Sequence, residues 1–109
     1  NCYPFWEGCS IEEASQYLKQ MYTVTKNVAK GKPVIVTETG WPNQGGTEGG
    51  ATASEANAMK YFINTQVWSA NDNIDVFYFS SFDESWKVGA EGDVGAYWGL
   101  WDKDEKLKF

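Results

Sequence analysis

The segment around Glu38 contains the residues of this sequence best suited to chemistry. A short apolar run, Pro33–Val36, leads into Glu38, and a turn containing Gly40, Trp41 and Pro42 follows at once. This order predicts a carboxylate held at the end of a strand, with an indole beside it. Such a pair is typical of sites that act on sugars, because the ring stacks on a pyranose face while the carboxylate attacks or stabilises C1. The alternative is a buried strand whose terminal Glu caps a neighbouring helix.

Two further segments are predicted to bring polar and aromatic groups to the same place. The most β-like run, Ile74–Phe82, ends in the sequence Asp83-Glu84-Ser85-Trp86-Lys87, and a third predicted strand, Asn1–Trp6, carries Tyr3. If the three strands are parallel, their carboxyl ends share one rim, where parallel α/β barrels keep their catalytic groups. Aromatic faces with a few charged groups would form a saccharide cleft there.

The composition excludes several classes of function. The chain has 109 residues, enough for one small domain, and a net charge of −6 with only nine Lys and Arg residues. Nucleic acids and anionic membrane surfaces are therefore not expected as partners, because both are bound through clustered basic residues. The chain has no His, which excludes Ser-His and Cys-His nucleophile pairs and makes an ordinary zinc site improbable. We expect neither a metal nor a cofactor.

The N-terminal segment leaves two interpretations of the cysteines open. Cys2 and Cys9 could form a disulfide if the backbone brings them within about 7 Å, or both could be free thiols. Asn1–Trp6 lacks the basic start and the long apolar stretch of a signal peptide, and is typical of the interior of a longer protein.

Two amphipathic helices are predicted between the strands. The first starts at a capping box, Ser10–Glu13, and ends near Ala29 before Gly31. The second starts at a similar box, Thr52–Glu55. The predicted buried stripes are Ala14, Leu18, Met21, Thr25 and Val28 in the first helix, and Ala56, Met59, Ile63, Val67 and Ala70 in the second.

The order of elements predicts a parallel α/β fold. Strands that alternate with helices are joined by crossovers, and the continuous apolar run of Pro33–Thr37 suits a strand buried on both faces. A complete eight-unit barrel needs roughly 250 residues, so residues 1–109 are expected to form a single partial barrel domain. A small hairpin, Tyr97–Trp101 with Lys106–Phe109, should follow the last strand. The Gly-rich segment Asn43–Ala51 is either a flexible surface loop or a rim loop beside the site.

The sequence resembles a known enzyme family over essentially its whole length. Val36–Pro42 is similar to the signature of glycoside hydrolase family 17, the (β/α)8 TIM-barrel β-1,3-glucanases and related glucanosyltransferases. Phe82–Lys87, Trp98–Trp101 and Asn1–Trp6 are similar to other parts of that family, and the similarity is greatest to its fungal cell-wall branch. The resemblance implies the C-terminal part of the barrel, with strands six to eight.

The resemblance also implies roles for particular residues. Glu38 would end the seventh strand and act as the nucleophile of a retaining enzyme, and Tyr3, Glu84 and Lys87 would lie at the substrate rim. The acid/base Glu of the family follows the fourth strand, which would lie upstream of Asn1. Lys87 is expected to hold Glu84 in place.

The other aromatic residues are assigned by their surroundings in the sequence. Trp41 and Phe82 are predicted to stack on sugar rings, with plain packing as the alternative. Trp86, Trp98 and Trp101 are predicted to pack in the core or the hairpin.

One position departs from the family pattern. Plant-type members usually carry a Glu where this chain has Gly95, and Glu91 is an unconvincing substitute from its spacing alone. We therefore assign no fourth carboxylate.

These expectations combine into one functional hypothesis. The chain would carry the nucleophile half of a retaining glycosidase acting on β-1,3-glucan, secreted or in the cell wall. It would need the upstream half of the barrel, in the same or another chain. The alternatives are a β-1,3-glucanosyltransferase of cell-wall remodelling, or an inactive carbohydrate-binding fragment.

Overall fold

The computed structural model describes all of residues 1–109 and contains two long helices and two small sheets. The helices are α1, Ile11–Val28, and α2, Glu55–Asp72. The strands are β1, Val36–Thr39; β2, Thr47–Glu48; β3, Ala51–Thr52; and β4, Val76–Tyr78, followed by a 3-10 helix at Ser85–Lys87.

The central unit is β1–α2–β4, in which the two strands pair in parallel. Val36 lies opposite Val76 and Thr39 opposite Tyr78, with an irregularity between the two pairs. This confirms the predicted parallel pairing. The prediction that the first of these strands is buried on both faces is wrong, because Ile35 remains 46% exposed beside it.

The N-terminal segment is not the strand that the sequence predicted. The backbone N–H of Cys2 donates to the carbonyl of Glu38 at 2.9 Å, as a neighbouring strand would, but no ladder follows. Pro4 has no N–H to donate, and Cys9 N donates back to its carbonyl at 3.1 Å. The chain therefore turns away after one hydrogen bond to β1.

Helix α1 begins where predicted but is capped differently. Ser10 is the N-cap residue, yet its side chain makes no capping hydrogen bond, and Glu13 N donates to its carbonyl instead. Only the first half of the predicted stripe is buried. Leu18 lies in the core, whereas Met21 is 36% exposed and Val28 72% exposed.

Helix α2 differs from the prediction at its start. The N-cap is Ser54, whose hydroxyl accepts a hydrogen bond from Asn57 N at 3.1 Å, so the predicted box starting at Thr52 is wrong. The carbonyl of Thr52 accepts hydrogen bonds from two side chains instead, those of Trp41 and Asn57.

Helix α2 also buries a different face from the predicted stripe. The buried residues are Ala58, Tyr61, Thr65 and Trp68. Of the predicted stripe, Met59, Ile63 and Val67 are 41%, 50% and 54% exposed. The buried face of α2 includes Tyr61, whose hydroxyl forms a hydrogen bond with the hydroxyl of Thr39 in β1.

The two remaining loops contain short antiparallel pairs. β2 and β3 form a hairpin within the Gly-rich segment, and Gly50 N donates to the carbonyl of Gly8 at 3.0 Å. Near the C-terminus, Trp101 pairs with Leu107, which confirms the predicted hairpin.

The core joins the helices, β1 and the loops into one cluster. Its largest fully buried side chains include Phe5, Leu18, Trp41 and Tyr61. Cys2 and Cys9 are half-buried free thiols, so the disulfide alternative is not observed. Neither helix has the length and apolar character needed to cross a membrane.

Candidate active site

Glu38 is the third residue of β1, and the backbone on both sides of its strand fixes its position. Its carbonyl accepts the N–H of Cys2 at 2.9 Å, and the carbonyl of Thr39 accepts the N–H of Phe79 at 2.7 Å. The prediction placed Glu38 at the end of the strand, and the structure places it one residue before the last residue of β1, Thr39. The carboxylate is half-buried rather than enclosed in the core.

Tyr3 holds the carboxylate of Glu38 directly. Its hydroxyl donates to Oε2 of Glu38 at 2.6 Å, a short charge-assisted hydrogen bond. Burial, and then this hydrogen bond, raise the pKa of Tyr3 above its ordinary value, so the phenol remains a donor at neutral pH. The ring is held edge-on by Phe79 and Trp98, at centroid distances of 6.2 and 5.5 Å.

A pair of charged residues, Lys87 and Glu84, approaches Phe79 through Lys87. Their side chains form an ion pair with Nζ and Oε1 separated by 3.0 Å, which agrees with the expectation that Lys87 holds Glu84. The Lys87 ammonium also lies over the Phe79 ring, 4.9 Å from its centroid, within the range of a cation–π contact. Phe79 therefore connects the ion pair to the ring of Tyr3.

A buried hydroxyl contact supports β1 from the helix side. Thr39 Oγ1 and Tyr61 OH lie 2.6 Å apart, and both residues are fully buried. Burial raises the pKa of Tyr61, so this phenol is neutral in the folded protein. The strand that carries Glu38 is thus fixed at its backbone and, one residue later, at a side chain.

Trp41 does not face the site, and its predicted sugar-stacking role is wrong. The indole is 1% exposed and packs against Phe5 and Tyr61. Its Nε1–H donates to the carbonyl of Thr52 at 3.0 Å. A ring that is enclosed by core residues and anchored by its polar atom has no free face to offer a pyranose.

The remaining aromatic predictions have mixed outcomes. Trp98 is buried and lies in the core as predicted, and Trp101 packs on Phe82 in the C-terminal hairpin. Trp86 is 75% exposed, so its assignment to packing is wrong. Phe82 is 48% exposed and tilted against Trp101 at 5.8 Å, and its stacking role stays a prediction.

The sequence reasoning missed two residues of the site. Phe79 was assigned only to a strand, although it contacts Tyr3 and lies under Lys87. Trp98 was assigned only to packing, although its ring contacts Tyr3. Phe79 could have been predicted as a site residue, because it lies near the end of a predicted strand, just before the carboxylate-rich turn. The ends of parallel strands lie together at one rim.

The arrangement suits chemistry at the glycosidic bond of a sugar. A half-buried carboxylate is fixed by a neutral phenol, with aromatic rings and an ion pair beside it. Within residues 1–109, no group of three or more His, Cys, Asp or Glu side chains is arranged to hold a metal ion.

Comparison with known proteins defines the class of fold. The structure superposes on a β-1,3-glucanosyltransferase of glycoside hydrolase family 17 from Rhizomucor miehei with a TM-score of 0.91 and 37% identity, over 99% of this chain and 39% of that chain. An active-site mutant of that enzyme, in complex with laminaritriose, gives a TM-score of 0.92. The fold is the C-terminal part of a (β/α)8 TIM barrel.

The family follows from the sequence comparisons. Residues 1–99 match the BtgE/BtgC glycoside hydrolase domain. The chain is 36% identical to a glucan 1,3-beta-glucosidase of Arthroderma benhamiae and 32% identical to one of Candida albicans, over 100% of this chain in both cases. It spans 40% and 38% of the lengths of these relatives. The chain belongs to this glycoside hydrolase family, as the sequence resemblance predicted.

Proposed function

We propose that this chain carries the nucleophile of a retaining glycoside hydrolase that acts on β-1,3-glucan, and that Glu38 is that nucleophile. The observation that carries the proposal is the 2.6 Å hydrogen bond from Tyr3 to Oε2 of Glu38 at the rim of a barrel strand. The family membership and the glucan-acting names of the relatives support the substrate class.

The reaction follows from the position of the carboxylate. Tyr3 engages Oε2, so Oε1 attacks the anomeric carbon; the C1–O bond breaks, and its electron pair leaves with the aglycone oxygen. Retaining enzymes need a second carboxyl group about 5–5.5 Å from the nucleophile to protonate that oxygen. We assign this acid to a part of the barrel outside residues 1–109. Water or a glucan hydroxyl, giving its proton to that same carboxyl group, then bonds to C1, and the ester bond breaks with its electron pair returning to Glu38.

Tyr3 and Lys87 have distinct parts in this proposal. Tyr3 orients the nucleophile and, because its pKa is raised, it does so as a neutral donor. Lys87 and Glu84 would bind sugar hydroxyls at the rim, since their side chains are 30% and 25% exposed and therefore accessible. An ordinary ion pair of this exposure contributes only about 0–1 kcal/mol to stability, so loss of the pair should affect binding more than folding.

A glucanosyltransferase is the second candidate for the activity. The high TM-scores with the Rhizomucor miehei enzyme favour it. The two activities share the glycosyl-enzyme and differ only in the acceptor that releases the sugar. We further propose a secreted or cell-wall location, because β-1,3-glucan is the substrate.

A mechanism-based label tests the role of Glu38 without needing the acid. In a 2-deoxy-2-fluoro-laminaribiosyl fluoride, fluoride leaves C1 with its bonding pair and needs no proton. We expect attack by Glu38 to give a stable ester, measured as one added glycosyl mass and located by peptide mapping. The reagent is applied to the chain itself and to a chimera in which residues 1–109 replace the matching part of the Arthroderma benhamiae glucosidase.

Glu38→Gln is the control for this experiment, because it keeps the shape of the side chain and removes the nucleophilic charge. The label should be lost in this variant. A label on Glu84 or any other residue, or no label in a folded chimera, would contradict the assignment. Laminarin hydrolysis by residues 1–109 alone, lost in Glu38→Gln, would contradict the external acid.

A further inference from the structure

Thr39 links the strand of the nucleophile to a second residue of the site. It follows Glu38 directly in β1, and its carbonyl accepts the backbone N–H of Phe79 at 2.7 Å. The ring of Phe79 in turn contacts Tyr3, with the ring centroids 6.2 Å apart, and lies under the ammonium of Lys87. A displacement of Thr39 would therefore move both the carboxylate and the ring beside its phenol partner.

The backbone of β1 is held at its two edges. At one edge the carbonyl of Glu38 accepts the N–H of Cys2 at 2.9 Å. At the other edge the carbonyl of Thr39 accepts the N–H of Phe79. Hydrogen bonds between neighbouring strands lie in the plane of the sheet, so these two bonds fix β1 sideways. The distance of the strand from helix α2, which is perpendicular to that plane, depends on other contacts.

The hydroxyl pair of Thr39 and Tyr61 provides a polar contact in this remaining direction. Successive side chains of a strand point to opposite faces, so Thr39 faces α2 while Glu38 faces the site. The two hydroxyl oxygens lie 2.6 Å apart, and both residues are fully buried. The ring of Tyr61 is itself held in the core, because it packs against Trp41 at a centroid distance of 5.6 Å. A directional bond from a fixed ring thus sets the distance between β1 and α2 next to the nucleophile.

We propose that Tyr61 is a positioning residue of the reaction: through Thr39 it sets the distance of the Glu38 carboxylate from the anomeric carbon, although it touches no reacting atom. The inference rests on the proposed function for the role of Glu38. A catalytic group has to be placed within about 0.5 Å, and a displacement of about 1 Å lowers a rate by up to about 10²-fold. Loss of the hydroxyl pair should therefore reduce reactivity beyond its effect on stability.

The rate at which the 2-deoxy-2-fluoro-laminaribiosyl fluoride labels Glu38 tests this role, in the full chain and in the chimera. Tyr61→Phe removes the hydroxyl and keeps the ring, so we expect the rate constant of labelling at saturating reagent to fall roughly tenfold. The reagent concentration that gives half of the maximal rate should change by less than about twofold, because Tyr61 is fully buried and does not touch the reagent.

Tyr78→Phe is the matched control for this substitution. Tyr78 lies opposite Thr39 in the strand pairing, and its ring centroid is 6.4 Å from that of Tyr61. Its hydroxyl is buried but bonds to no residue of the chain. The control therefore removes the same atom from the same layer without breaking a contact to β1, and the labelling rate should equal that of wild type.

Substitutions at Thr39 provide the test of rescue. Thr39→Val keeps the shape of the side chain and removes its hydroxyl, so the labelling rate should fall as it does in Tyr61→Phe. Thr39→Ser retains a hydroxyl for Tyr61 and should restore most of the rate that Thr39→Val loses. This pair tests the proposal even if Tyr61→Phe fails to fold.

A double variant, Thr39→Val with Tyr61→Phe, separates positioning from stability. Each single change leaves one buried hydroxyl without its partner, whereas the double change removes both hydroxyls and should be nearly neutral for folding. We expect its melting temperature, followed by circular dichroism, to return toward that of wild type while the labelling rate stays low.

The outcomes distinguish this inference from the proposed function. A labelling rate that recovers together with the melting temperature in the double variant would overturn the positioning role. An unchanged rate in both Tyr61→Phe and Thr39→Val would also overturn it, while the label on Glu38 would leave the assignment of the nucleophile intact. Absence of a label on Glu38 in the folded wild-type chimera would overturn the proposed function, and this inference with it.

Discussion

Removing the hydroxyl of Tyr3 measures how firmly the chain holds Glu38. In Tyr3→Phe the ring contacts with Phe79 and Trp98 remain, while the 2.6 Å hydrogen bond to Oε2 is lost. A hydrogen bond to a charged group contributes about 1.5–3 kcal/mol. Because both residues are half-buried, water partly replaces the lost donor. We therefore expect the free energy of unfolding to fall by about 1 kcal/mol at pH 7.

The same substitution should change the dependence of stability on pH. Burial and the hydrogen bond to Glu38 raise the pKa of Tyr3, so the phenol ionises in the unfolded chain before it does in the folded one. Its contribution to stability is complete below about pH 10 and is lost as the pH rises further. One group changes stability by at most about 1.4 kcal/mol per pH unit, and the exposure of Tyr3 reduces this to well under 1 kcal/mol. The deficit of Tyr3→Phe should therefore shrink above pH 10.

Urea unfolding followed by circular dichroism at pH 7, 9 and 10.5 provides the assay. Tyr22→Phe is the control, because the Tyr22 ring packs on Trp68 and its hydroxyl is not bonded to Glu38. This variant should differ from wild type by no more than about 0.5 kcal/mol at pH 7. Equal stability of Tyr3→Phe and wild type at pH 7, with the same change up to pH 10.5, would refute the reasoning.

Two further substitutions test the supports of the site. In Gly40→Ala the new Cβ would overlap the carbonyl oxygen of Phe79, so we expect a loss of at least about 2 kcal/mol by thermal unfolding, and an unchanged Tm would contradict this packing. In the wild-type chain, Lys108 Nζ and Asp83 Oδ1 lie 2.6 Å apart, and the two side chains are only 10% and 9% exposed. Lys108→Met removes the positive charge of this buried ion pair. Removing one partner of a buried pair should cost about 3 kcal/mol in urea unfolding, and a loss below about 1 kcal/mol would show that the pair is solvated.

The two helices, the pairing of β1 with β4 and the place of Glu38 could be predicted because they depend on local patterns. Helix α1 begins after Ser10 as its sequence indicates, and the parallel pairing of β1 with β4 follows from their separation by a helix. Glu38 follows a short apolar run that predicts a strand, although the strand itself begins only at Val36, and strand ends of one sheet share a rim. That rule predicted the approach of Tyr3 to Glu38, although the segment that carries Tyr3 is a turn and not the predicted strand.

The buried face of α2 could not be predicted, because it depends on tertiary contacts with β1 and α1. The apolar stripe through Met59 and Ile63 has the correct helical period, yet it is exposed. The face that is buried contains Tyr61 and Thr65, and Tyr61 is accommodated there because Thr39 of β1 satisfies its hydroxyl. A pattern that counts only apolar residues scores Tyr61 against burial, although a satisfied hydroxyl costs little in a core.

The assignment of individual aromatic rings failed for a related reason. With 17% aromatic residues, this chain has more rings than one site can use, and their local sequence does not separate platforms from core. Trp41 follows Glu38 within three residues but is buried, because Thr52 provides an acceptor for its indole N–H. Trp6 stays 39% exposed. Tertiary packing, which the local sequence around an indole does not show, therefore decides which rings remain accessible.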